Sequence, residues 1–246
     1  WYTVQLLGTR LISLGRFLIL ARLLAPDEFG LLAIAAVVVE LMIALSDFGI
    51  DQALVQKKDV TAVDYDTAWT LRVVRALLVA VVVALIAPLL AAAFGEPMAT
   101  PFIQVLAMRP LVEALGSIKL VTLTRSLDIR PIALVSMATA ALETIVAVLL
   151  AVLLPALAVD AALSDALIAN LGAWAVVIGT FSGALLGMVL SYVIAPYRAR
   201  ATLDRASTVA LLRFGNWLLV TSTVGALGHV ALRAIISREL GVAELG

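Results

Sequence analysis

The sequence predicts an all-α protein that crosses a membrane about seven times, and three observations support this fold class. Hydrophobic residues make up 63% of the chain and charged residues only 14%, whereas a soluble domain carries about 25% charged residues. The apolar residues are gathered into stretches long enough to cross a bilayer, which takes about 20 helical residues. The charged residues concentrate in the connections between these stretches. We therefore expect a polytopic helical membrane protein.

The connections supply both a count of spans and an orientation. The predicted spans are roughly residues 1–24, 30–48, 67–94, 100–122, 131–154, 168–194 and 211–236. Alternate connections are basic and hold Lys57, Lys58, Lys119, Arg125, Arg130, Arg198, Arg200, Arg205 and Arg213. No Lys or Arg occurs in the remaining connections, 25–30, 95–99 and 155–167. Because basic loops stay in the cytoplasm, the N-terminal end is predicted to be cytoplasmic.

Local signals predict where several of these helices begin, end or bend. The turn at 25–30 contains a proline and a glycine, which end one helix, and two acids, which favour the start of the next. Thr61 lies three residues before Asp64, a spacing typical of a helix N-terminus. Pro110 predicts a kink in the fourth span.

The sixth span differs from the others because it carries no charge. It has small residues at a helical spacing, Gly179, Gly183 and Gly187, which allow close backbone approach. Packing within the chain is the favoured interpretation, and dimerisation is the alternative. Since this span is uncharged, we expect it to lie outside any polar lumen, which helices 1, 2, 4 and 5 would wall.

The first 30 residues of the chain recur, in similar form, at residues 217–246. Residues 1–30 align without gaps with 217–246, and the pairs are identical at Trp1, Val4, Leu11, Ile19, Arg22, Leu24, Glu28 and Gly30. We interpret this as a duplication. Residues 1–210 are then an N-terminal six-helix lobe, and 211–246 are the first helix of a second lobe in the same orientation, which predicts parallel repeats.

Charged side chains near helix centres are costly in a bilayer, so they usually face a cavity or a partner. The candidates for a lumen that meets substrate are Arg10, Arg16, Arg109, Arg72 and Arg75. The candidates for ion pairing or for coupling to an ion gradient are Glu40, Glu113, Glu143 and Asp47.

Two sets of these charges have simpler interpretations. Arg109 and Glu113 lie four residues apart and can neutralise each other with or without a substrate role. Arg72 and Arg75 lie near the end of their span and can extend to the membrane interface.

The remaining carboxylates leave two interpretations open. Glu40 and Glu143 have no opposite charge within a turn of their own helix. They either pair with arginines of other helices or titrate in a proton or cation relay. Asp47 either caps a helix end or binds a ligand.

The composition argues against several function classes. The chain has no cysteine and one histidine, His229, so we expect no disulfide, zinc or haem site. A net charge of zero excludes an overall basic field for nucleic acid. No nucleophile–base pair or phosphate-binding loop is found, so we expect no enzyme activity and no cofactor, with a proton or sodium gradient as a candidate energy source.

Five segments, taken in order, resemble a known family. They are LARLLAPDEFGLLA (20–33), SDFGIDQALVQKKD (46–59), LTRSLDIR (123–130), GAWAVVIG (172–179) and RFGNW (213–217). They are similar to the first loop, the second loop, the basic element after helix 4, the start of helix 6 and the entry to helix 7 of bacterial polysaccharide transporters. These transporters belong to the MOP flippase superfamily and include the Wzx-type O-antigen flippases.

The resemblance implies two six-helix lobes around a cavity that opens alternately to each side of the bacterial inner membrane. It implies as cargo an oligosaccharide on a polyprenyl pyrophosphate carrier, and as further partners the bilayer and the polysaccharide polymerase machinery. A lipid II flippase or a multidrug or cation antiporter of the same fold is the alternative. A membrane glycan polymerase or ligase is less favoured, since the outer connections are short and lack Lys and Arg.

Overall fold

The computed structural model describes residues 1–46, 49–158 and 170–213, and this part of the chain is helical. Its helices are α1 (Tyr2–Leu23), α2 (Pro26–Ser46), α3 (Ile50–Gln56), α4 (Ala62–Ala93), α5 (Thr100–Leu106), α6 (Arg109–Ala114), α7 (Leu120–Arg125), α8 (Arg130–Ala158) and α9 (Leu171–Ile194). A 3-10 turn, Pro97–Ala99, precedes α5, and residues 205–213 are again helical.

Four of the described helices are long and apolar enough to cross a membrane, namely Tyr2–Leu23, Ala62–Ala93, Arg130–Leu154 and Leu171–Ile194. The predicted all-α membrane fold is confirmed. The number of seven spans stays a prediction, because most of the seventh falls in 214–246, outside the described residues. The second copy of the repeat, 217–246, and the acidic connection around 160–165 also lie outside the described residues.

The turn between α1 and α2 is tighter than expected, and α2 begins at Pro26 instead of near residue 30. Proline suits the first helical turn, where its missing N–H would have no partner. The carboxylate of Glu28 is buried and accepts hydrogen bonds from the backbone of Ala25 (3.0 Å) and of Ala173 in the first turn of α9 (3.2 Å). A Cβ atom on Gly172 would lie 2.7 Å from Glu28 Oε2. One carboxylate thus joins the starts of α2 and α9.

The predicted start of the third span is confirmed in detail. Thr61 Oγ1 accepts a hydrogen bond from the Asp64 backbone N–H (3.3 Å), and Asp64 Oδ2 accepts one from the Thr61 backbone N–H (2.8 Å). Lys57 Nζ lies 2.5 Å from the other carboxylate oxygen of Asp64. The connection before it contains α3, which follows Gly49 in the left-handed region at φ 56°.

The predicted fourth span is interrupted instead of merely kinked. Residues 100–122 form α5, then α6, then the start of α7, with turns between them. Pro110 has no N–H to bond the carbonyl one turn earlier. The chain closes a tighter turn there, in which Met108 N–H bonds Val105 O (2.9 Å). The interruption leaves α6 as a separate short helix.

The expectation that the sixth span lies outside the lumen is wrong. α9 packs along α8 and also contacts α2, α5 and α6. A Cβ atom on Gly179 would lie 2.7 Å from both Ala147 Cβ and Glu143 O, and one on Gly183 would lie 3.0 Å from Glu143 Cβ. The glycine stripe therefore serves packing within the chain, as the favoured interpretation predicted. An uncharged helix can occupy a central position because close approach needs small side chains and no charge.

The segment between α9 and the last described helix is fixed on the surface of α4. Thr202 N–H bonds Thr70 Oγ1 (3.0 Å), and Asp204 N–H bonds Thr67 Oγ1 (3.3 Å). Asp204 then caps the helix at 205–213, because its Oδ2 accepts a hydrogen bond from the Ser207 backbone N–H (2.8 Å). That hydrogen bond lowers the pKa of Asp204 below its ordinary value. We call residues 195–204 the linker.

Candidate functional site

Two adjoining cavities lie among α1, α2, α6, α8 and α9. The larger, about 400 Å³, is lined by Glu40 and is here called the Glu40 cavity. The smaller, about 230 Å³, is lined by Arg72 and is called the Arg72 cavity. Arg109, Glu113 and Glu143 line both. The two cavities therefore meet at these charges, and we refer to them together as the central cleft.

The first ion pair of the cleft joins α1 to α8. Arg16 Nη1 donates to Glu143 Oε1, and Thr180 Oγ1 on α9 lies 3.0 Å from the same oxygen. Both charged side chains are largely shielded, with 28% of Arg16 and 12% of Glu143 exposed. A pair this shielded is costly to break, because the remaining charge would lose its partner. Of the two interpretations for Glu143, pairing across helices is what the structure shows.

The second ion pair lies within α6. Arg109 Nε donates to Glu113 Oε1 over 2.9 Å, and the two side chains are 41% and 51% exposed at the cleft. An exposed pair four residues apart contributes only about 0.3–0.5 kcal/mol. A stronger anion in the cleft can therefore displace Glu113 from Arg109 at little cost.

Arg72 on α4 donates hydrogen bonds to the C-terminal end of α6. Its Nε and Nη2 donate to Ala114 O (3.2 and 2.9 Å), and Nη2 also donates to Gly116 O (2.5 Å). Asp51 Oδ2 lies 3.8 Å from Nη1. The guanidinium supplies donors to carbonyls that have no helical partner at the end of α6, and the interpretation that Arg72 extends to the membrane interface stays a prediction. Arg72 thus bonds the end of the helix that carries Arg109 and Glu113.

The remaining predicted residues are placed differently. Glu40 on α2 is exposed at the Glu40 cavity and has no hydrogen bond or ion pair with another described residue. Arg10 is exposed on α1 and lines neither cavity of the cleft. Arg75 lies apart from the cleft, in a recess shared with Arg72 and Asp51. Asp47 lies outside the described residues.

Sequence reasoning missed the hydroxyl groups of the cleft. Thr180 contacts Glu143, while Thr139, Ser136 and Ser191 line the Arg72 cavity. The search for lumen residues followed only charge, so it named no residue of the uncharged α9 as part of a site. The missed signal was that Thr180 and Ser191 share a helical face with the glycine stripe.

The sequence was compared with protein families and with curated proteins. The profile of the family described as "Polysaccharide biosynthesis protein" matches residues 19–246. The chain belongs to this family. The resemblance predicted from the five sequence segments is thereby confirmed.

Two curated relatives align along nearly the whole chain. It is 26% identical over 247 residues to the succinoglycan biosynthesis transport protein ExoT of Rhizobium meliloti (strain 1021), covering 100% of this chain and 47% of the relative. It is 26% identical over 244 residues to the lipopolysaccharide biosynthesis protein WzxC of Escherichia coli (strain K12), covering 99% and 46%. The chain thus spans about half the length of these family members. No solved structure matches it significantly.

Proposed function

We propose that this chain forms half of a flippase, which moves an oligosaccharide linked to polyprenyl pyrophosphate from the cytoplasmic to the outer leaflet by alternating access. The observation that carries the proposal is the central cleft, in which Arg16 and Arg109 are held by carboxylates between apolar helices. The relatives support it, since one is named as a succinoglycan biosynthesis transport protein and the other as a lipopolysaccharide biosynthesis protein.

The chemistry of the cargo fits these side chains. A pyrophosphate must cross the hydrocarbon layer, and guanidinium groups offer it charge and paired N–H donors. Glu143 and Glu113 would occupy the arginines in the empty state, and the pyrophosphate would replace them. The polyprenyl tail can remain in the bilayer beside the cleft. Transport of this kind needs no covalent step, so we propose transport and not catalysis.

The other half of the carrier would complete the cleft. α1 contributes Arg16 yet buries little of its own surface, since Leu7, Leu11 and Phe17 are all exposed. A second lobe beginning with the copy of α1 at 217–246 would cover this face. The alternating basic connections support an inner-membrane position with the N-terminal end in the cytoplasm.

We further propose that Glu40 couples transport to an ion gradient. It is the acid of the cleft that has no partner among the described residues. A carboxylate in that position can take up a proton or a sodium ion without breaking an ion pair. Glu40→Gln should leave downhill flipping intact and abolish its acceleration by an imposed gradient, measured in proteoliposomes. Equal acceleration in the variant and the wild type would exclude this role.

The flippase proposal is tested with the intact protein in proteoliposomes that contain a fluorescent polyprenyl-pyrophosphate disaccharide. We expect Arg16→Gln and Arg109→Gln each to lower the flipping rate by roughly tenfold or more, because each removes one charge-assisted phosphate contact of about 1.5–3 kcal/mol. Arg22→Gln, on the same helix as Arg16 but exposed and outside the cleft, should keep the wild-type rate.

Two results would contradict the proposal. One is wild-type flipping in both cleft variants, which would remove the arginines from the substrate path. The other is equally fast flipping of a polyprenyl-alcohol-linked disaccharide, which would show that the pyrophosphate is not recognised.

A further inference from the structure

A separate pocket of about 560 Å³ lies between the linker, the start of α4 and the end of α9. Three cations line it, Lys119, Arg198 and Arg200, together with three tyrosines, Tyr65, Tyr192 and Tyr197. We call it the linker pocket. Tyr192 is fixed there, since its hydroxyl donates to Leu115 O over 2.8 Å.

The linker pocket is divided from the central cleft by a polar contact. Ser117 N–H donates to Ser191 Oγ (2.8 Å), and Ser117 Oγ donates to Ala195 O (2.6 Å). Both serines line the Arg72 cavity, whereas their near neighbours Lys119 and Tyr192 line the linker pocket. The two sites therefore lie on opposite sides of this contact, and the role proposed for the cleft does not account for the pocket.

The pocket carries an excess of positive charge. Asp66 is the one carboxylate among the described residues that line it, and it accepts a hydrogen bond from the Tyr197 hydroxyl over 2.5 Å. Burial, together with this bond, raises the pKa of Tyr197, so the hydroxyl stays a donor at neutral pH. Within the described ranges, the side chains of Lys119, Arg198 and Arg200 have no hydrogen-bond or ion-pair partner. Three cations thus line the pocket, while the carboxylate of Asp66 already accepts the hydrogen bond from Tyr197.

We propose that the linker pocket binds a phosphate group, with an anionic phospholipid headgroup as the source favoured by its position. Guanidinium and ammonium groups are the side chains that recognise phosphate. Tyrosine is enriched at the depth of lipid headgroups. The basic connections that include Lys119, Arg198 and Arg200 lie together on the face predicted to be cytoplasmic, where anionic lipids attract such residues.

An occupied pocket would add a connection between the linker and the segment that joins α6 to α7. The phosphate would contact the linker through Arg198 and Arg200 and the α6–α7 connection through Lys119. The linker leads from the last helix of the proposed lobe to 211–246. The bound headgroup would therefore fix the position from which the second half of the carrier continues.

The experiment measures thermal stabilisation of the intact protein in detergent by three soluble probes: dihexanoyl phosphatidylglycerol, dihexanoyl phosphatidylcholine and inorganic phosphate. We expect phosphatidylglycerol to stabilise, phosphatidylcholine to have little effect and inorganic phosphate to bind weakly. Equal stabilisation by inorganic phosphate would support the pocket and assign it to a soluble phosphate. No stabilisation by any of the three would overturn the proposal.

Two double variants separate the pocket from general surface charge. Arg198→Gln/Arg200→Gln should weaken phosphatidylglycerol binding on the order of tenfold or more, since each cation near an anionic headgroup contributes roughly fivefold. The matched control, Arg205→Gln/Arg213→Gln, removes the same charge from exposed positions beyond the linker and should bind as the wild type does. An equal loss in both double variants would show diffuse attraction and overturn the pocket.

A third comparison tests the internal geometry. Tyr197→Phe keeps the net charge but releases Asp66, which can then compete with phosphate for the arginines. We expect weaker binding in this variant and recovery in Tyr197→Phe/Asp66→Asn, with the unfolding temperature without probe as the folding control. Unchanged binding in Tyr197→Phe would contradict the arrangement of charges described above.

Discussion

At the scale of single residues, Glu143 is the side chain on which most of the central cleft depends. It accepts the guanidinium of Arg16 from α1 and lies 3.0 Å from the Thr180 hydroxyl of α9. One carboxylate of α8 thus has partners on two other helices. Because little of it is exposed, removing one partner leaves a poorly solvated charge instead of a free one.

A double-mutant cycle tests this pairing. Arg16→Gln and Glu143→Gln should each lower the free energy of unfolding by about 1–3 kcal/mol, because the remaining charge stays half-buried without its partner. The double variant should lose less than the sum of the two, with a coupling of about 0.5–3 kcal/mol. Thermal unfolding in detergent measures all four proteins, and strictly additive losses would contradict the pairing.

How much of the cleft the sequence predicts depends on the residue. Arg16, Arg109, Glu113 and Glu143 were predicted from the cost of charge at membrane depth, and the structure brings them to the same cavities. The pair of Arg109 with Glu113 followed from their spacing, but the partner of Glu143 could not be predicted, because helix rotation and packing order decide which side chains of different helices face each other. The acceptors of Arg72 were not predicted for the same reason, since they lie at the end of a helix that the sequence did not show to end there.

At the scale of elements, the glycine stripe of α9 sets where the charges of the cleft lie. Gly179 and Gly183 let α9 approach α8 at the turn that carries Glu143. That approach brings Thr180 within hydrogen-bond distance of the carboxylate. The helix contact and the ion pair are therefore parts of one arrangement.

Gly179→Ala should separate the two helices. The added Cβ would lie 2.7 Å from Ala147 Cβ and from Glu143 O, and backbone cannot yield as a flexible side chain can. We expect a loss of about 1–3 kcal/mol in stability, measured by thermal unfolding, with a parallel loss of flipping. Gly15→Ala on α1 is the control, because nothing lies within 4 Å of its Cβ position.

The control should be neutral or slightly stabilising, since alanine is favoured over glycine in a helix by about 1 kcal/mol. Similar losses in the Gly179→Ala and Gly15→Ala variants would show that helix propensity and not the α8–α9 contact decides the effect.

The boundaries of the elements were predictable to different degrees. The start of α4 followed from Thr61 and Asp64, because a capping box is a local signal and needs nothing from the rest of the fold. The division of the fourth span into α5 and α6 was only partly predictable. Pro110 indicates a disturbance near the α5–α6 boundary, but the end of α6 at Ala114 involves donors that Arg72 provides from another helix, which the local sequence does not show.

At the scale of the whole molecule, the alternation of basic and non-basic connections predicts which surface faces the cytoplasm. The chain has no cysteine, so single introduced cysteines can be labelled without background. Lys58 and Glu96 are both exposed and lie in connections predicted to face opposite sides.

In intact cells, a membrane-impermeant maleimide should label the Glu96→Cys variant. It should label Lys58→Cys only after the cells are opened, because basic connections stay inside. The reverse pattern would invert the orientation, and labelling of both in intact cells would contradict the alternation from which the spans were counted.

The pairing of charges in the cleft also has an electrical consequence. A carrier must return empty after each delivery, and moving one uncompensated charge through the membrane voltage costs about 2.3 kcal/mol per 100 mV. Among the described residues, Arg16 with Glu143, Arg109 with Glu113 and Arg72 with Asp51 sum to zero, which leaves Glu40 as the remaining charged group of the cleft. The voltage across the membrane would then act on the return step through the charge of Glu40.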